Sequence, residues 1–205
     1  IETVRTTTFN AAARDVEGVD MGFRYTFATD NYGDFRLSWD STYTRHDKTK
    51  SSADAEFSDD VGIYQGETNW EWRTMVTTDW QMGDWAATWT MRYTSELEED
   101  CWIHYFGIGD IDPDSPTYDP IMCSNPTEEP NIFDDIGVNY LDATLYHDIR
   151  VVYQAPWDGI ISVGARNLFG EEPPLTQNSF AHSFDGAYDL PGGAYWYASY
   201  RHNFD

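Results

Sequence analysis

From Asp34 to Thr44 the chain reads DFRLSWDSTYT, and its character changes at every second residue. Phe35, Leu37, Trp39, Ser41 and Tyr43 fall on one side. Asp34, Arg36, Ser38, Asp40, Thr42 and Thr44 fall on the other. A period of two places successive side chains on opposite faces of a β-strand, whereas a helix would need a period near 3.6. The same alternation sets Val19, Met21, Phe23, Tyr25 and Phe27 against Asp20, Gly22, Arg24, Thr26 and Ala28. It recurs with Trp85, Ala87, Trp89, Met91 and Tyr93, and at the far end with Trp196, Ala198, Tyr200 and Phe204. The fold must therefore be built from strands that each carry one apolar and one polar face.

About seven such strands are expected, near 7–29, 33–47, 69–81, 84–96, 140–154, 159–169 and 194–204. Their connections differ in kind. TDNYGD, QMGDW and APWDG are short and carry the Gly, Asp and Asn of tight hairpins. The segments near 48–68, 97–139 and 170–193 are long and hold several acids or prolines. A meander with short turns at one rim and long loops at the other describes an antiparallel transmembrane β-barrel of the outer-membrane kind. A soluble β-sandwich also alternates, and would bury its apolar face in a core. Against it stand strands of ten residues or more, longer than the common ~5–6. Tyr and Trp also gather at strand ends, as in Trp70, Trp72 and Trp80, Trp85 and Tyr93, Tyr153 and Trp157, and Tyr195 and Trp196. Such rings mark the two interfaces of a membrane barrel.

Composition closes off other classes. The chain has 205 residues, a net charge of -24 and 17 % aromatic residues. An aromatic content this high does not suit a disordered chain. So negative a charge does not suit a nucleic-acid binder, which must neutralise phosphates. Mean hydropathy is -0.61, and no run approaches the ~20 apolar residues of a membrane helix. The sequence begins at Ile1 without a Met or a signal-like segment, so any targeting signal is expected to lie outside it.

Three stretches then stand out. VGARNLFGEEPPL, 163–175, resembles the penultimate strand of TonB-dependent outer-membrane receptors, where Arg-Asn-Leu-Phe and an acid-proline segment precede the last loop. YDLPGGAYWYASYRHNF, 188–204, resembles the end of that family, with Tyr-Asp and glycine leading into an aromatic final strand. NAAARDVEGVDMGFRYTF, 10–27, is similar to the segment in which Asn and then Gly-Val-Asp open a descending strand. The three come in the family's order and span nearly the whole chain. One departure is that Phe204 is followed by Asp205, where the family usually ends on an aromatic residue.

The resemblance implies that residues 1–205 form the C-terminal portion of a barrel of roughly 22 strands. The N-terminal plug, the segment that contacts TonB and the earlier strands would lie elsewhere. It implies a place in the bacterial outer membrane, among its lipids and lipopolysaccharide. It also implies TonB-energised uptake of a scarce solute such as a ferric siderophore, cobalamin, haem or an oligosaccharide. On this view Ile161, Val163 and Ala165 face outward, Gly164 leaves room for what fills the lumen, and Arg166 faces a carboxylate inside. Asn167 and Pro173–Pro174 break the ladder where the strand leaves the membrane.

Specificity is expected in the loops. No Lys or Arg occurs from Tyr93 to Ile149, while 96–135 carries a dense set of acids, including those of ELEED and DIDPD. Cys101 and Cys123 bracket one such loop, and two cysteines in an exported loop read as a disulfide. Closure of that loop would stabilise by roughly 3 kcal/mol. Asp110, Asp112 and Asp114 offer carboxylate oxygens to Ca²⁺, without the glycine and terminal Glu of an EF-hand; a solvated acidic loop is the alternative. Trp102, His104, Tyr105 and Phe106 would either stack on a sugar or aromatic solute or pack the loop itself. No nucleophile-elbow, zinc-helix or phosphate-loop motif is present, so no enzyme is expected. His147, Asp148 and nearby serines form no recognisable hydrolase motif. Two rival readings are an outer-membrane hydrolase and a small complete barrel acting as an adhesin or passive pore.

Overall fold

The computed structural model describes residues 13–52, 54–100, 124–125, 138–176, 178–179, 183–202 and 204. The protein is all-β among these residues. Its strands are β1 (Ala13–Thr29), β2 (Gly33–Lys50), β3 (Ser58–Asp59), β4 (Trp72–Met82), β5 (Trp85–Thr94), β6 (Leu97–Asp100), β7 (Val138–Leu141), β8 (Thr144–Ala155), β9 (Gly159–Arg166) and β10 (Tyr195–His202). Seven long strands form an antiparallel meander in the order β1-β2-β4-β5-β8-β9-β10, with β3 added beside β2. β6 and β7 pair as a separate hairpin.

The register turns the period of two into two continuous surfaces. One row across the sheet reads Tyr25, Leu37, Thr78, Trp89, Ile149, Ala165, Trp196. The next row, facing the other way, reads Thr26, Arg36, Asp79, Thr88, Arg150, Gly164, Tyr197. Large apolar side chains on the first face stay exposed, among them Val19, Phe23, Tyr25, Trp85, Trp89, Val163 and Trp196. No second layer covers them among the described residues. Among the described residues the buried apolar cluster sits instead at the long-connection end, where Tyr64, Trp70, Leu97, Leu141, Tyr146 and Tyr188 meet.

Rings cluster at both ends of the apolar face. Near the short turns Phe27 stacks on Phe35 at 5.0 Å, and Trp85 lies 4.6 Å from Tyr153. Trp80 Nε1 donates to the Tyr32 carbonyl there at 2.6 Å. At the opposite end Tyr43 lies 4.7 Å from Trp72. Eight residues of β2 separate Phe35 from Tyr43, about 26 Å along an extended strand.

The turns follow their sequences. Gly83, first in the two-residue loop between Met82 and Trp85, has φ 55°, where a type II′ turn puts its glycine. The loop Pro156–Trp157–Asp158 ends with Asp158 at φ 60°, the left-handed residue of a three-residue hairpin. On β2, Arg45 is an extra residue opposite Glu17 and Gly18. This bulge reverses the alternation beyond it, so Asp47 turns to the polar side and accepts from Arg14 Nε at 2.6 Å.

Several expectations need correction. The penultimate long strand ends at Arg166 rather than 169, and the third begins at Trp72 rather than 69. The connections 48–68 and 97–139 are not plain loops, since they contain β3 and the β6–β7 strands. The space beside Gly164 is taken by Tyr197. A Cβ there would lie 2.5 Å from the ring of Tyr197, its cross-strand partner, and 2.7 Å from the Ile149 carbonyl. The missing side chain lets the Tyr197 ring lie flat on the neighbouring strand.

Candidate functional site

Several charges of the polar face are satisfied across strands. Arg24 holds the Asp40 carboxylate with two bonds of 2.8 and 2.7 Å. Thr42 donates to Asp20 at 2.7 Å, Thr88 to Asp79 at 2.8 Å, and Arg150 to the Ser162 hydroxyl at 2.8 Å. Neighbouring strands stand ~4.8 Å apart, so side chains of adjacent rows reach one another readily.

Two chain segments fold over this face at the long-connection end. One is 62–70, and the other is 185–190, just before β10. Tyr188 is buried and accepts from Trp70 Nε1 at 3.2 Å, with the two rings edge to face at 5.4 Å. Tyr64 donates to Asp185 at 2.8 Å. Burial pushes the Tyr188 hydroxyl up to about 12, and burial with the adjacent Asp185 carboxylate raises that of Tyr64 as well. Both phenols therefore remain neutral hydrogen-bonding groups over the ordinary pH range.

Asp189, next in the chain, ties the second segment to the strands. Arg92 donates to its two oxygens at 3.2 and 2.6 Å and lies 3.4 Å from Asp148. Arg166 approaches Asp189 at 3.7 Å, so the expected carboxylate partner of Arg166 is this one. The Arg92 guanidinium also sits over the Tyr146 ring, 5.1 Å from its centroid. Below the two segments lies an open cleft of about 470 Å³, lined by Asp20, Asp40, Arg73, Met75, Arg92 and Tyr188, among others.

The Arg-Asn-Leu-Phe stretch acts as a clamp at the rim. Asn167 is buried with φ 49°, a left-handed conformation that Asn tolerates better than most residues. Its side-chain oxygen accepts from the Glu171 N–H at 2.8 Å, and its amide donates to the Glu171 carbonyl at 2.7 Å. Its backbone N–H donates to Asp148 at 2.8 Å. One residue thus closes the turn after β9 and fastens it to β8.

Sequence reasoning missed a second tie. Glu99, within the acid run ELEED, is not a solvated surface charge but 2 % exposed. It accepts from Asn139 Nδ2 at 2.7 Å, Thr176 Oγ1 at 2.6 Å, and Asn178 N and Nδ2 at 3.3 and 3.2 Å. A buried carboxylate is tolerated only with such partners. The legible signal was the apolar bracket of Leu97 and Leu141, paired across β6–β7 and both fully buried.

His147 and Asp148 do not meet. His147 stacks on Trp89 at 5.6 Å on the apolar side, while Asp148 reaches Arg92 on the polar side. Cys101, Cys123, Asp110, Asp112, Asp114, Trp102, His104, Tyr105 and Phe106 all lie outside the described residues. Among the described residues no group of three His, Cys, Asp or Glu side chains is placed to hold a metal. Comparison with protein-family models, with curated proteins and with solved structures finds no match to this chain.

Proposed function

We propose that this chain is part of the wall of a TonB-dependent outer-membrane receptor, which binds a scarce solute outside the cell and imports it with energy delivered through TonB. The observation that carries the reading is the sidedness of the meander. One face is apolar, exposed across seven strands and bounded by aromatic rings. The other is ion-paired and partly roofed by long connections. A soluble sheet would bury the first face; a lipid-facing wall leaves it bare. Among the described residues β1 and β10 each pair on one side only, and a membrane barrel must close such edges with further strands. The remainder of the barrel and the plug would supply that closure.

The residues behind the family resemblance support the same reading. Arg166, Asn167, Tyr188 and Asp189 bind the last loop to the polar face and to the strands beside it. Residues of those types at those positions have a shared mechanical task.

The test uses the full-length gene product in its own host. It should fractionate with the outer membrane, migrate differently in gels before and after heating, and be required for uptake of one solute only while TonB is intact. Recovery as a soluble periplasmic or cytosolic protein would overturn the proposal. Uptake undiminished without TonB would reduce it to a passive pore.

A further inference from the structure

We propose that the cleft beneath Trp70 and Tyr188 receives an organic acid with one carboxylate on a largely apolar body, and that Arg73 holds the carboxylate. The inference rests on the transporter reading and narrows its solute. Two arginines line this cleft, and one of them, Arg92, is already committed to Asp189 and Asp148. Arg73 lines the same cleft and is exposed. Among the described residues no carboxylate lies within ion-pair distance of it. A guanidinium presents a planar fork of donors that matches a carboxylate, and its affinity rises where water is partly excluded.

The surroundings select the rest of the solute. Met75, two residues along the same face of β4, is 43 % exposed and lines the cleft beside Arg73. A thioether there offers a soft apolar contact that adapts to varied shapes. Trp70 and Tyr188 form the roof, and the cleft's size falls within the ~300–1,000 Å³ of small-molecule sites. Asp20 shares a row with Arg73, across Thr42, and so stands about 10 Å away. Its carboxylate accepts from the Thr42 hydroxyl and has no ion-pair partner among the described residues. Together with the chain's net charge of -24, it disfavours phosphates and polycarboxylates and leaves a single acid group as the fit.

The test takes the full-length receptor in detergent, modifies arginines with phenylglyoxal, and follows Arg73 and Arg92 separately by peptide mass spectrometry. Benzoate is the probe and benzamide its uncharged counterpart, at equal ionic strength. Arg73 should react in the free receptor and about tenfold more slowly with benzoate, since one charge-assisted pair is gained. Benzamide should leave its rate unchanged. Arg73→Gln should abolish benzoate retention in equilibrium dialysis. The inference is overturned if Arg73 is already protected in the free receptor, if benzamide protects as well as benzoate, or if neither protects. Heat-dependent gel migration of the same sample reports the barrel itself. An intact barrel without a benzoate effect therefore sinks this inference alone, and a preparation without a barrel sinks the transporter reading.

Discussion

Trp89 and Thr90 are neighbours in β5, yet they belong to surfaces built on opposite rules. Around Trp89 the face carries Leu37, Ile149 and Met91, and its side chains need nothing from each other but contact. Around Thr90 lie Thr77, Arg92 and Asp148, and Arg92 pairs both with Asp148 on the next strand and with Asp189 of the covering loop. Among the described residues no second layer covers the apolar face. The polar face meets many of its own charges, while others, Arg73 and Asp20 among them, have no ion-pair partner among the described residues. The contrast follows directly from a period of two applied to strands this long.

The contrast is most sharply broken by moving a charge from one face to the other. In the full-length protein Trp89→Arg should cost about 2–4 kcal/mol if, as proposed, that position meets the bilayer midplane. Thr90→Arg, which points toward Asp148, should cost under about 1 kcal/mol. Chemical unfolding from lipid vesicles measures both, and equal losses would mean that the facing is wrong.

Within the polar face, the paired arginines should not be equivalent. Arg92→Ala removes bonds to Asp189 and leaves that carboxylate, only 16 % exposed, without its main partner. A loss of about 1.5–3 kcal/mol follows for hydrogen bonds to a charged group. Arg24→Ala breaks a pair whose side chains are half exposed, so less than about 1 kcal/mol is expected. The same unfolding experiment ranks them, with protease cleavage between 183 and 193 as a second readout that only the Arg92 variant should raise.

Gly164→Ala places a methyl against the Tyr197 ring and should cost about 1–3 kcal/mol through overpacking. Adding Tyr197→Ala should return part of that loss. Failure of the second change to rescue the first would show that the clash with the Ile149 carbonyl dominates.

The smallest effect concerns β3 beside β2. Burial pushes the Asp59 carboxyl up, but hydrogen bonds from the Asp47 and Val61 N–H groups and from His46 outweigh it and hold it below the ordinary range. A depressed carboxyl stabilises above the unfolded-state value, near 4, and loses that contribution as pH falls through the folded value. Protection of the amides around 58–61, taken relative to the unstructured exchange rate at each pH, should therefore fall below about pH 4, and Asp59→Asn should remove that fall.

The two faces, the meander order and the short-turn rim were legible in the sequence because each depends on residues close together in the chain. The ties at the other rim were not. Glu99 finds its partners at Asn139, Thr176 and Asn178, separations that no local pattern encodes. ELEED reads as a solvated acid run because only the fold places Asn and Thr around one of its members. Gly164 was recognised as special, but its reason lies in Tyr197, the residue that register happens to set opposite. Arg166 was expected to meet a carboxylate, and Asp189 could be named only once the last connection was seen folded back onto the sheet.

The most direct measurement of the central claim is a nitroxide scan along β5 in the full-length protein, reconstituted in lipid with Cys101→Ser and Cys123→Ser. Single cysteines from Trp85 to Thr94 would be labelled and their collisions with oxygen and with a water-soluble nickel complex compared. A wall between lipid and lumen predicts strict alternation, with oxygen favoured at 85, 87, 89, 91 and 93 and the nickel complex at the positions between them. Access of the nickel complex to both sets, or protection of both from both reagents, would contradict it.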